Sequence, residues 1–235
     1  MKYEPPLTRF RPQLGAAIVV NILLWANLGA QAAQPYAIRG IALGSLLADF
    51  KIAPAPDRNR FPDVAAACSD EYGGGPESKA ALEALRLNEA EAKAGFVRCV
   101  YLRADKGSLV PAGLVVAGAA TQAVFVFAPD RQGALRLAAV KAEGDSGDYD
   151  TVKLALTKRY GLPQTVIRGF AHDAGGAKLI DETARWSNGV SQIEIDQRLE
   201  TQDVNRMAIE YRHEALISEA NHRLKAAGAA PEDSL

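Results

Sequence analysis

The sequence predicts an α+β fold: two αβββ units on an antiparallel sheet, helices packed on one face, and a further helix at the C-terminus. Three observations carry that expectation. First, Asp148 to Pro163 reads as one helix with both ends marked. Asp148 is placed to cap the first-turn amides, and Asp150 puts negative charge where the helix dipole is positive. Val152, Leu154, Ala155, Leu156 and Tyr160 recur at helical spacing. Lys158 and Arg159 lie in the last turn, Gly161 can take the left-handed C′ conformation, and Pro163 stops the helix. Second, the period changes beyond Pro163: residues 183–186, 190–195 and 206–211 alternate apolar and polar as half-buried strands do. Third, the first half repeats that order of elements, over a stretch about thirty residues longer.

In chain order, Arg9 and Arg11 precede an apolar run from Leu14 to Leu28, and then Gly29-Ala30-Gln31-Ala32-Ala33. A positive segment, a short apolar core and an Ala-x-Ala site are the pattern of a signal peptide, residues 1–32, cut near Ala32 or Ala33. Asn21 and Asn27 interrupt the core, which argues against a retained membrane helix, and no later run approaches spanning length. The mature chain is then periplasmic or secreted. Loss of Lys2, Arg9, Arg11 and Glu4 takes Lys+Arg from 27 to 24 and Asp+Glu from 28 to 27, a net charge of −3. That mixed, near-neutral balance argues against nucleic acid and against a polybasic membrane patch.

Cys68 and Cys99 are the only cysteines. An even pair in an exported chain suggests a disulfide, and closing a loop of about thirty residues stabilises by roughly 3–4 kcal/mol. A redox or metal thiol pair would want a C-x-x-C spacing that is missing here.

The first unit spans 36–141. Ile38, Ile41 and Leu43 suggest a short extended segment. Gly44-Ser45 opens a helix carrying Leu46, Leu47 and Phe50, which Pro54 and Pro56 end. Asp57 to Gly75 reads as a polar loop holding Cys68. Pro76 to Ala94 reads as a helix with Gly95 beyond its end; Leu82, Leu85 and Ala92 would face the core. Strands come next at 96–102, 123–127 and 135–140, and the Gly- and Ala-rich stretch from Leu109 to Thr121 reads as strand or loop. The second unit spans 145–213, with a Gly-rich surface hairpin loop from Gly169 to Gly176. In the last segment, 214–235, Leu216, Ile217, Ala220 and Leu224 form one stripe, which packs on the protein's own sheet or on a partner. The tail from Gly228 reads as disordered.

With Leu43-Gly44-Ser45-Leu46, Tyr160-Gly161-Leu162-Pro163 and Trp186 in order, the chain resembles small exported proteins of the tandem αβββ kind. These are the β-lactamase-inhibitor-protein-like fold and the related SmpA/OmlA-type lipoproteins of outer-membrane assembly. The likeness covers most of residues 36–213 in element order. It implies a binding or assembly protein rather than an enzyme. Unlike the lipoproteins, this chain has no cysteine near the cleavage junction to accept a lipid. Gly161, Pro163 and Trp186 shape the fold, so the resemblance carries over no interface residue.

Chemistry-bearing patterns are sparse. His172, His213 and His222 show no recognised ligand spacing. Asp145, Asp148 and Asp150 crowd six residues as a calcium loop would, but lack the downstream glutamate at the right offset; helix capping explains them. Gly73-Gly74-Gly75-Pro76 lacks the Gly-Lys-Ser/Thr ending of a phosphate loop and reads as a hinge. No G-x-S-x-G occurs. Glu194 and Asp196 fall on one face of their strand, with Glu200 and Asp203 close by in sequence. Paired carboxylates can do acid–base work, but polar-out alternation accounts for these. Neither cofactor nor metal is expected. The candidate recognition face is the wet side of the second sheet: Arg185, Gln192, Glu194, Arg206, Glu210 and Arg212, facing an envelope protein partner. The function expected is a periplasmic binding or assembly-accessory protein. The alternatives are a small hydrolase whose site forms only in three dimensions, and a small-ligand-binding module.

Overall fold

The structure, a computed structural model, describes residues 33–56, 63–71, 78–199 and 204–229. The signal-peptide reading, the Gly73–Pro76 hinge, Glu200, Asp203 and the tail from residue 230 lie outside the described residues.

Ala37–Ile38 (β1) and Ile41–Ala42 (β2) form a small hairpin, and Leu47–Ile52 (α1) comes after it, burying Leu47 and Phe50. Ala65–Cys68 (β3) brings Cys68 opposite Cys99, and the two are disulfide-bonded. Next come two short helices, Lys79–Leu85 (α2) and Glu89–Lys93 (α3), not the single helix expected across 76–94. The break has a local cause. Asn88 accepts from the Glu91 amide at 2.8 Å while Glu91 accepts from the Asn88 amide at 2.9 Å, a capping box that starts a new helix. Within α2, Ala81 and Leu85 are buried and Leu82 is exposed, and beyond the interruption Ala92 is exposed too.

Val97–Asp105 (β4), Ser108–Pro111 (β5), Leu114–Val116 (β6), Ala119–Pro129 (β7) and Leu135–Asp145 (β8) complete the first half. The stretch from Leu109 to Thr121, open between strand and loop in the sequence, is thus largely strand. Tyr149–Tyr160 (α4) starts the second half. Asp148 does not cap it: Asp145 instead accepts from the Gly147 amide at 2.7 Å and caps the single 3₁₀ turn that leads in. Tyr149, Val152 and Leu156 are buried, whereas Leu154 lies off that stripe and is exposed. Gly161 ends the helix at φ +85° and ψ −173°: φ is positive, as expected, but ψ lies outside the left-handed helical region.

Thr165–His172 (β9), Lys178–Ser187 (β10), Ser191–Asp196 (β11) and Arg206–His213 (β12) form the second half. The loop expected at 169–176 is mostly β9 with a tight turn. Only Asp173 to Gly176 turns, with the Asp173 carboxylate accepting from the Gly175 and Ala177 amides at 2.9 and 2.8 Å. Glu214–Ala226 (α5) continues directly from β12.

All the long strands share one antiparallel sheet in the order β3-β4-β7-β8-β12-β11-β10-β9, with β5 beside β4 and β6 beside β7. The two halves meet where β8 pairs with β12. One face, the α4 face, carries the main core. Phe50, Tyr101, Phe125 and Phe127 cluster in the first half, and Trp186, Ile193, Ile195, Ile209 and Tyr211 line the second. The Trp186 indole N–H donates to the Gly161 carbonyl at 2.9 Å, tying the sheet to the end of α4.

Helices do not keep to one face, contrary to the sequence expectation. On the opposite face, the α5 face, Leu216, Ala220 and Leu224 pack on Phe96, Val126, Ala128, Ala138 and Ala139. Beside them Ala81 and Leu85 of α2 pack on Val100 and Leu102. The reason lies in the strands: Phe125 to Ala128 and Leu137 to Val140 are continuous apolar runs, buried on both sides. The α5 stripe therefore docks on its own sheet.

Candidate recognition face

Strict alternation puts Trp186, Ile193, Ile195, Met207, Ile209 and Tyr211 into the core and sends every second residue to the α5 face. All six residues of the candidate face, Arg185, Gln192, Glu194, Arg206, Glu210 and Arg212, come together there, each half-buried. No helix among the described residues covers this part of the sheet.

Register sets the geometry. Arg185, Glu194, Glu210 and Lys141 stand opposite one another in a row across β10, β11, β12 and β8. Two facing glutamates in mid-sheet are unfavourable alone, and cations on either side offset them. Arg185 pairs with Glu194, Arg212 pairs with Glu210, and Lys141 lies 3.7 Å from Glu210. Arg206 pairs with Glu143 at 3.1 Å, and Gln192 reaches Glu194 at 3.5 Å. Burial alone would weaken the Arg212 charge, but Glu210, Glu194 and Asp196 together raise its pKa. Cations and anions balance here, so recognition would depend on hydrogen bonding and shape more than on long-range attraction.

Glu194 and Asp196 share this face, as alternation requires. Burial pushes the Asp196 carboxyl up, and the nearby Glu194 and Asp181 charges add to the effect, while the Thr183 hydroxyl donates to it at 2.6 Å. Glu194 is committed to Arg185. Among the described residues no group of three or more His, Cys, Asp or Glu side chains converges as a metal site would. His172 ends β9, His213 ends β12 and His222 lies on α5. Burial lowers the His213 pKa.

The sequence reading missed a buried polar cluster on the α4 face. Glu182 of β10 accepts from the Tyr149 hydroxyl at 3.0 Å, from Lys153, and from Arg168 Nε at 2.7 Å. Burial opposes its charge, yet these three donors win and hold the carboxyl at about 2. The i, i+4 spacing of Tyr149 and Lys153 was the available signal, because it sets both on one side of α4. The cluster clamps β9 and β10 to the helix.

A cleft of about 360 Å³ opens between the β1–β2 turn, the β6–β7 turn and the end of α4. Ile38, Val116, Leu156, Tyr160 and Tyr211 form its wall, with Arg39 and Arg159 also in the lining. Among the described residues no Asp, Glu or His lines it. Comparison of the chain with family models, with curated proteins and with solved structures finds no match.

Proposed function

We propose that this protein is an exported binding or envelope-assembly accessory protein without catalytic activity. It recognises a protein partner through the sheet face bearing Arg185, Gln192, Glu194, Arg206, Glu210 and Arg212. One observation carries the reading. Among the described residues, the same sheet face is roofed by α2 and α5 over the first half and carries no helix over β10, β11 and β12. Half a sheet face held in order by its own ion pairs, with no helix above it, suits docking of a second surface.

Export is supported by the signal-peptide pattern of residues 1–32 and by the Cys68–Cys99 disulfide, which persists in oxidising compartments. Among the described residues no helix is long and apolar enough to cross a membrane. We read the halves, 36–141 and 145–213, as tandem units of the αβββ kind. Two features support this: α1 and α4 both bury residues in the α4-face core, and each half ends on a strand, β8 or β12, at the centre of the sheet. The second unit has a fourth strand, β9.

The test is crosslinking and affinity capture from cells, comparing the wild-type chain with the swapped pair Arg185→Glu plus Glu194→Arg, which keeps an ion pair at this place and reverses its charges. The reading requires loss of a discrete partner with unfolding temperature little changed. An unchanged partner set would overturn it. The cleft at Arg159 and Tyr211 favours a second reading, a small-ligand-binding module. Titration with small amphipathic carboxylates separates the two, since ligand binding there would be insensitive to the face substitutions.

A further inference from the structure

A different surface carries an inference beyond that face. Among the described residues β9 is the last strand of the sheet, hydrogen-bonded to β10 from Thr165 opposite Arg185 to His172 opposite Lys178. A sheet margin presents a row of backbone donors and acceptors that another strand can complete. Proteins ordinarily blunt such margins by shortness, charge or cover. β9 is eight residues long, and every residue except Ala171 is exposed. Val166, Ile167 and Phe170 are 41%, 52% and 54% exposed, and Ile180, opposite Phe170, is 65% exposed.

The geometry points to β9 as an acceptor for an extended, acidic–apolar segment of a partner protein, added antiparallel as a further strand. Charge selects the occupant. On the α4 face, among the described residues, this margin carries Arg168, Lys153 and Lys178 against Glu182, which Lys153 and Arg168 already share, and Asp150, which lies near Tyr149. Lys178 Nζ sits 3.6 Å from the centre of the Phe170 ring. Positive charge is therefore in excess where an added strand would lie. A second copy of β9 would bring another Arg168 and Lys178 to the same place, so self-pairing is disfavoured.

Register then specifies the segment. Facing residues of an antiparallel pair point to the same side of the sheet. Carboxylates belong opposite Arg168 and opposite His172, where Lys178 stands on the next strand, and apolar side chains opposite Phe170, Val166 and Ile167. A large side chain belongs opposite Gly169, where no atom lies within 4 Å of a Cβ. Read from its own N-terminus, the segment runs acidic, any residue, apolar, large, acidic, apolar, apolar. Backbone pairing supplies most of the affinity in strand addition, and these alternate side chains supply the selection.

The probe is the blocked peptide Glu-Thr-Val-Tyr-Glu-Val-Val, with Lys-Thr-Val-Tyr-Lys-Val-Val as control, each added at millimolar concentration to the whole protein. Amide hydrogen exchange is monitored by NMR. The expected result is slower exchange along β9 and none of that protection along β3, with the lysine peptide about tenfold weaker because its two lysines meet the positive charge of Arg168 and Lys178. Lys178→Glu, at an exposed site, should weaken the acidic peptide about threefold and favour the lysine peptide. Equal binding of the two peptides, no protection of β9 at millimolar peptide, or dimerisation through β9 in sedimentation would each overturn the proposal.

Discussion

At one margin of the sheet stands β3, four residues reading Ala65-Ala66-Ala67-Cys68, short and covalently tied to its neighbour through Cys99. At the other stands β9, twice as long, largely apolar, exposed, and joined to the protein through β10 and the Glu182 cluster. The same contrast runs inward. β7 and β8 are buried on both sides, whereas β10, β11 and β12 are buried on one and carry paired charges on the other. A sheet wrapped on both sides commits its surface to its own stability. A sheet wrapped on one side keeps a surface for something else, and here the uncovered face and the uncovered margin fall in the same half.

The largest expected effect tests whether the second half depends on a single core. Trp186→Ala removes the largest fully buried side chain and its bond to Gly161, and should cost about 3–5 kcal/mol in denaturant unfolding. Replacing both cysteines with alanine releases a loop of 31 residues and should cost about 3–4 kcal/mol. Hydrogen exchange should then quicken along β3 and leave β9 unchanged, which would sharpen the contrast between the margins.

Acid reverses that order. Glu182 has its carboxyl held at about 2 against 4.5 for an ordinary glutamate, so between those values the unfolded chain binds a proton that the folded chain does not, and stability rises with pH across that window. Its contribution, about 3 kcal/mol, is complete above pH 4.5 and disappears as pH falls to about 2. Protection of β9 should fade across that window in acid titration, ahead of β3. Glu182→Gln should remove the pH step.

The smallest pair of effects compares one sheet face in its two halves. Leu224→Ala, under α5, should cost about 2–4 kcal/mol, and Gln192→Ala, on the bare half, less than about 0.5 kcal/mol. Similar costs at both sites, measured by urea unfolding, would mean that the bare half is not a lightly stabilised surface.

Much of this was legible because periodicity reports burial directly. The alternation of 183–186, 190–195 and 206–211 showed which side of these strands is buried, and Gly161 and Pro163 marked the end of α4. Other features depended on contacts that a linear pattern does not carry. Gly169 made β9 look like a loop, although an edge strand with nothing beside it tolerates the missing side chain. Asn88 and Glu91 form a capping box inside a run that looked continuously helical. The apolar run from Phe125 to Ala128 did announce burial on both faces, and hence helices on both, had it been weighed against alternation. Glu182 showed nothing of its partners, since Tyr149, Lys153 and Arg168 reach it from two other elements.

The most direct test of the contrast is site-specific photocrosslinking in living cells. A photoreactive residue replaces Gln192 on the bare face in one strain and Arg86, exposed on the wrapped half, in another. A discrete crosslinked partner from position 192 and none from position 86 is the predicted result. Equal crosslinking from the two positions, or a partner captured only at position 86, would contradict it.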